Sequence, residues 1–203
     1  MFEGTLFSLA ESLPNLLRGI ITLFIIVDPL GSIPIFISLT KGMNSSQRRV
    51  VFKTATITGL ILLLAFALTG QQILILFGIS IYSFMIAGGI LLLIIAIKLL
   101  VTGGWEEPSI SPESVGAVPI ACPLLVGPGA ITTTIVNLQE VGIITTIISV
   151  MIVFAVVWLI LRHIDPIHNF LGDVGALVIS RVMALFIAAI AIQYIVEGVE
   201  HFV

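Results

Sequence analysis

Apolar residues run along this chain in long stretches separated by short polar connections. A window of about 19 residues resolves six of them, near Leu13–Leu39, Val51–Leu68, Ile79–Val101, Val115–Val136, Ile143–Leu161 and Val174–Val196. Each is of the length that a helix needs to cross a hydrocarbon core, about 20 residues. The connections fall at Lys41–Ser46, Gly70–Gln72, Thr102–Glu113, Asn137–Gly142 and Arg162–Asp173, and leave no room for a separate soluble domain. The pattern predicts an all-α membrane protein with six transmembrane helices in a single membrane domain.

Composition removes the soluble alternative. Of 203 residues, 59% are hydrophobic and only 9% charged, against roughly 25% charged in a soluble domain, and mean hydropathy is +1.27. A net charge of −3 with no basic stripe excludes nucleic acid as a partner. The single cysteine, Cys122, excludes an internal disulfide framework, and His163, His168 and His201 are too scattered for a zinc site, so no metal or cofactor is expected. The acidic start, Glu3 and Glu11, and the length of the first apolar run predict a retained first span rather than a cleaved signal.

Charge then orients the spans. Lys41, Arg48, Arg49, Lys53, Lys98, Arg162 and Arg181 fall at the first, third and fifth connections, against Arg18 alone on the other side. Short cytoplasmic loops carry the excess of Lys and Arg, so these connections are expected in the cytoplasm and both termini outside it.

The chain also repeats itself. The segment Ile95–Gly103 aligns with Ile190–Gly198 with five of nine positions identical. Val27-Asp28-Pro29-Leu30-Gly31 in the first span corresponds to Val126-Gly127-Pro128-Gly129-Ala130 in the fourth, each setting Pro beside Gly in mid-span. Repeats of about 13–103 and 115–198 contain three spans each, and an odd number forces the two halves into opposite orientations. Inverted repeats with helices interrupted at matching places point to a transporter's midplane site.

Proline removes a backbone donor and clashes with the carbonyl four residues back; in hydrocarbon the freed groups need partners or a protein-enclosed cavity. The first span has 27 residues, about 40 Å as a helix against a core of about 30 Å, so it must tilt or break. Asp28 alone among eleven acidic residues lies deep in an apolar stretch, at an insertion cost of about 2.5–3.5 kcal/mol. Asp followed by Pro is also the pattern of a helix N-cap. The two readings are compatible, because a cap at a break also faces the cavity. Amides after Asp28-Pro29, at Gly31 and Ser32, and after Gly127-Pro128, at Gly129, Ala130 and Ile131, belong to half-helix N-termini suited to a carboxylate. Asp28, Pro29, Gly31, Ser32, Gly127, Pro128, Gly129, Ala130 and Thr132 therefore make the candidate binding set, with Asp28 as the candidate proton carrier. The competing fate of Thr132, Thr133 and Thr134 is bonding to their own helix. Arg181 is placed to snorkel or to pair across the bundle, Gln193 to bond between helices, Asn137 to cap the fourth span, and Gly88-Gly89 to permit close packing.

Three segments, Asp28–Phe36, Pro123–Thr132 and Arg181–Gln193, resemble the MarC family of integral membrane proteins over essentially the whole chain. A branch that this sequence is similar to, the small neutral amino-acid transporters called SnatA, implies uptake of glycine and alanine coupled to protons at the plasma membrane. The residues by themselves supply a compact midplane site for a small ligand with a carboxylate. Against this stand an exporter of other small solutes, an accessory membrane protein without transport, and an intramembrane enzyme. The last has only His163, Asp165, His168 and Asp173 to build on, without a nucleophile. No Walker A sequence supports ATP-driven transport. A homo-oligomer is compatible with the sequence, which does not specify one.

Overall fold

The computed structural model describes residues 2–40, 42–102, 120–121 and 125–201, and the regular structure among them is entirely helical. The predicted long connection from Thr102 lies almost wholly outside the described residues, as do Lys41, Cys122 and Pro123.

The first predicted span is two helices, α1 (Phe2–Val27) and α2 (Ile33–Leu39). The chain reverses its helical sense at Asp28, the non-glycine residue with positive φ (43°) among those described. Asp28 N–H still donates to Phe24 O at 3.0 Å, closing the last turn of α1, and Ser32 N–H returns to Asp28 O at 3.2 Å. Aspartate tolerates this conformation better than most residues because its short polar side chain bonds locally.

Helix α3 (Ser45–Leu76) opens on a capping box, in which Gln47 N–H donates to Asn44 Oδ1 and Asn44 N–H to Gln47 Oε1, both at 2.9 Å. It continues through Gly70–Gln72, where the sequence predicts a connection. One glycine costs a helix only about 1 kcal/mol, and the apolar residues after it hold the helix to Leu76. The turn comes instead at Phe77–Ser80, with Gly78 at φ 66°. Helix α4 (Ile81–Thr102) follows.

Of the predicted fourth span, helical turns stand at 120–121 and 125. Val126 N–H closes a wide turn on Ala121 O at 2.9 Å, and α5 (Pro128–Val141) restarts with Gly127 as its N-cap. Asn137 is buried inside α5 rather than capping it. The helix runs on to Gly142, whose φ of 82° makes the break before α6 (Ile143–Arg162). Helix α7 (Ile164–Glu200) is bent at Gly172 (φ 63°, ψ 175°), which separates a short helical connection from a long apolar helix.

Among the described residues, α3, α4, α6 and the Val174–Glu200 part of α7 are long and apolar enough to cross a membrane, and Leu13–Val27 is a shorter apolar helix. Their outward faces carry exposed Ile57, Ile61 and Leu68 on α3 and Ile94, Ile97 and Val101 on α4, the composition of a lipid-facing surface. The chain is a multi-pass membrane protein.

Small residues set the closest helix approach. A Cβ on Gly89 would lie 2.7 Å from Ala191 O, and one on Gly198 would lie 2.9 Å from Tyr82 O, so α4 and α7 cross antiparallel at backbone distance. Helix α1 packs on α6, α3 on α5 and α6, and both α1 and α4 on α5. One apolar core joins Leu23, Phe36, Leu63 and Phe154; a second joins Leu92, Ala96, Ala184 and Ile187. At one end of the bundle Arg48 Nη1 donates to Asp165 Oδ1 at 2.6 Å. At the other, Arg18 pairs with Glu140 at 3.7 Å, and the Tyr82 and His201 rings stack with centroids 3.5 Å apart.

Candidate functional site

The two interruptions meet. A cavity of about 40 Å³ lies between them, lined by Asp28 and Ser32 from the first and Gly127, Gly129 and Ala130 from the second. These five belong to the binding set read from the sequence, where they stand almost a hundred positions apart.

Asp28 is held from both sides of its own turn. Its backbone ends α1, and its Oδ1 accepts the Gly31 N–H at 3.0 Å, so the carboxylate caps the restart toward α2. The side chain folds so tightly over the turn that a Cβ on Gly31 would overlap the carboxylate. Asp28 is 5% exposed and Ser32 8%. Capping therefore occupies one carboxylate oxygen while the residue still lines the cavity.

The second break is built differently. Gly127 has no side chain and gives α5 no side-chain cap. The first amides of a helix have no partner within it, so the N–H groups of Gly129 and Ala130 and the positive end of the helix dipole stand at the start of α5, beside the cavity. One break carries a carboxylate and the other carries donors.

The remaining predicted residues distribute around this cavity rather than in it. Pro29 and Gly31 are buried behind Asp28. Pro128 and Thr132 line a separate apolar cleft of about 290 Å³ facing Phe66 and Leu91. The Thr132 hydroxyl donates to Pro128 O at 2.9 Å, and Thr134 to Ala130 O at 2.8 Å, so both hydroxyls are spent on their own helix. Arg181 and Gln193 are exposed and line no part of the cavity. Gln193 Nε2 donates to Glu197 Oε1 at 2.6 Å; the expected bond between helices is an i, i+4 bond within α7, because these two side chains lie one turn apart on one face.

Six apolar residues complete the lining and carried no signal of polarity: Ile26 and Val27 from α1, Leu92, Ile95 and Leu99 from α4, and Ile187 from α7. The register that pairs Ile95 with Ile190 in the repeat also pairs Leu92 with Ile187, so the signal was present in the repeat itself.

A second polar layer lies between the cavity and the end marked by Arg18. Tyr194 Oη donates to Thr133 Oγ1 at 3.3 Å inside the bundle. Gly19 brings α1 so close to α5 and α6 that a Cβ there would lie 3.0 Å from Ser149 Oγ and 3.4 Å from Asn137 Nδ2. Beyond it, burial pushes the Glu140 carboxyl above its ordinary range, with Arg18 pulling it back and Glu197 adding to the rise.

The model of the MarC family of integral membrane proteins matches residues 13–203. The chain is 41% identical over 191 residues to a UPF0056 membrane protein of Archaeoglobus fulgidus, covering 89% of this chain and 90% of that one. It is 35% identical over 199 residues to the UPF0056 membrane protein YhcE of Escherichia coli, covering 92% and 93%. No solved structure matches the chain. With helices that cross a membrane and a family match from the first apolar helix onward, the chain belongs to the MarC family of integral membrane proteins.

Proposed function

We propose that the chain is a secondary transporter of small neutral amino acids, glycine or alanine, coupled to protons, with its site between the two interruptions. The observation that carries this reading is the chemistry of that cavity: a carboxylate on one wall and the amides of a helix start on the other. A zwitterion needs both. Its carboxylate would meet the Gly129 and Ala130 amides at the start of α5, and its ammonium would meet Asp28 or the carbonyls freed at the breaks.

Size selects the substrate class. At roughly 10–15 Å³ per water on this measure, 40 Å³ holds a few water molecules, the scale of glycine or alanine. Leu92 and Ile187 line the cavity, and their bulk would disfavour branched and aromatic side chains. Asp28 is also the group that would carry the coupled proton: with the ammonium held by carbonyls freed at the breaks, protonation of the carboxyl lets proton and substrate occupy the site together and cross in one direction.

The architecture that supports this reading is six spans in two inverted halves, with α1 and α2 together as the first span and α5 within the fourth. The packing obeys the exchange of halves: α1 on α6 mirrors α5 on α3, and α4 on α5 mirrors α7 on α1. Asp28 and Gly127, and Leu92 and Ile187, correspond in the repeat and line the same cavity. Such a pseudo-two-fold is the basis of alternating access in inverted-repeat transporters. The Arg48–Asp165 pair brings the start of α3 and the α6–α7 junction to one end, in keeping with a cytoplasmic first and fifth connection and termini outside the plasma membrane.

The test is uptake of labelled glycine, alanine and leucine into proteoliposomes. Uptake of the first two that unlabelled leucine does not compete supports the reading. Absence of uptake by folded protein under every gradient refutes it and leaves an accessory role or another solute.

A further inference from the structure

At the end of the bundle marked by Arg48, a cleft of about 450 Å³ opens between the start of α3 and the junction of α6 and α7. It is far larger than the cavity at the breaks and belongs to neither repeat's interruption. Arg48, Arg49, Lys53 and Arg162 line it against the single carboxylate of Asp165. That carboxylate is already committed to Arg48, whose Nε also donates to Thr40 Oγ1 at 3.1 Å. Among the described residues, no carboxylate lies within ion-pair distance of Arg49, Lys53 or Arg162. Among the described residues the cleft thus holds three positive charges in excess of its carboxylate.

The floor is apolar. Phe52 and Leu161 are buried beneath the charges, and the Arg162 guanidinium lies 5.0 Å from the centre of the Trp158 ring. The cleft also sits where α3 enters and α6 leaves the hydrocarbon: its cations occupy the first turns of α3 and the last residue of α6. A tryptophan with basic residues at a span end marks the headgroup level. Exposed Val50, Ile57 and Leu159 continue the same helices toward the lipid-facing surface.

We infer that this cleft binds the phosphate headgroup of an anionic phospholipid, with the acyl chains descending along α3 and α6. The shared chemistry is a phosphate; the apolar floor and the position at the membrane surface assign it to lipid rather than to a dissolved anion. Basic pockets between membrane helices at this level recognise such headgroups. Arg49, Lys53 and Arg162 meet the phosphate, while Arg48 holds the wall in place through Asp165.

The test is native mass spectrometry of the full chain released from nanodiscs of phosphatidylglycerol or phosphatidylcholine with identical acyl chains. The wild type should retain phosphatidylglycerol preferentially, and the double variant Arg49→Gln/Lys53→Gln should lose retention by roughly fivefold per charge removed. If that variant fails to fold, Arg162→Gln and the salt dependence of wild-type retention read the same property, retention falling with salt and with the lost charge. Equal retention of the two lipids, or retention indifferent to both charge and salt, overturns the proposal. Displacement of the lipid by millimolar inorganic phosphate also overturns it, in favour of a soluble-anion site.

Discussion

The Gly31 N–H donates to Asp28 Oδ1 at 3.0 Å, and a side chain on Gly31 would occupy the place of the carboxylate that it bonds. The two residues form one device: the glycine lets the carboxylate fold over the turn, and the carboxylate satisfies the amide inside the bundle. The remaining face of Asp28 is left to the cavity.

Gly31→Ala should therefore destabilise the protein by about 1–3 kcal/mol, the range for overpacking a close-packed site. The control is Gly175→Ala in α7, where a Cβ finds only ordinary contact, 3.5 Å from Leu171 Cβ. That substitution should be neutral or stabilising by up to about 1 kcal/mol. Thermal unfolding in detergent of the two variants beside the wild type reads the difference, and equal midpoints would contradict the device.

At Asp28 the side chain must accept a hydrogen bond and the backbone must hold φ 43°. Asparagine meets both demands, glycine only the second and alanine neither. The expected stability order is Asp28 close to Asp28→Asn, then Asp28→Gly, then Asp28→Ala, with the last below the first by about 2 kcal/mol from the lost cap and the strained backbone together. Chemical unfolding of the series checks it; an alanine variant as stable as asparagine would show that the cap is dispensable.

The crossing of α4 and α7 rests on backbone contact at Gly89. A methyl group there meets the backbone Ala191 O at 2.7 Å and Ile195 N at 3.3 Å, atoms that cannot rotate away. Gly89→Ala should force the helices apart and lower stability by about 1–3 kcal/mol, whereas Ile94→Ala, on the lipid-facing side of α4, should cost well under 1 kcal/mol because apolar contact with lipid replaces little. Comparable losses at the two sites would contradict the packing account.

Glu140 gives a pH dependence with a definite sign. Burial outweighs Arg18 and raises its carboxyl above the ordinary range, so the folded state binds the proton more tightly than the unfolded chain. The stability from that protonation is present below the ordinary carboxylate range and is lost as pH rises through the raised value. Glu140→Gln should melt higher than the wild type at neutral and alkaline pH, with the gap closing as the medium is acidified. A gap that widens on acidification would reverse the assignment.

The break at Asp28-Pro29 was legible because two rules of different origin agreed: a proline in a span too long for the bilayer, and a carboxylate where none is tolerated without purpose. The partner break at Gly127-Pro128 was legible only through the repeat. Helix ends were read less well. Gly70–Gln72 and Asn137 look like connections because polar residues gather there, but Asn137 is buried within α5, and Gln71 and Gln72 are exposed on the last turns of α3, where polar side chains do not end a helix. Gln193 misled for the same reason, its partner Glu197 being one turn away. Leu92 and Ile187 could not be recognised from composition, since an apolar residue that closes a cavity has the same chemistry as one that faces lipid. The cleft at Arg49 and Lys53 was hidden because a positive-inside count registers the charges of a loop without showing that a second loop adds Arg162 to them.

The most direct test of the account is uptake of labelled glycine by proteoliposomes under an inward proton gradient, comparing wild type with Asp28→Asn, the variant that keeps the cap and removes the charge. The wild type should show gradient-driven uptake, and the variant, at near-native stability, should lose the effect of the gradient. Gradient-driven uptake at wild-type rates by Asp28→Asn would contradict it, and would reduce Asp28 to the cap of a broken helix.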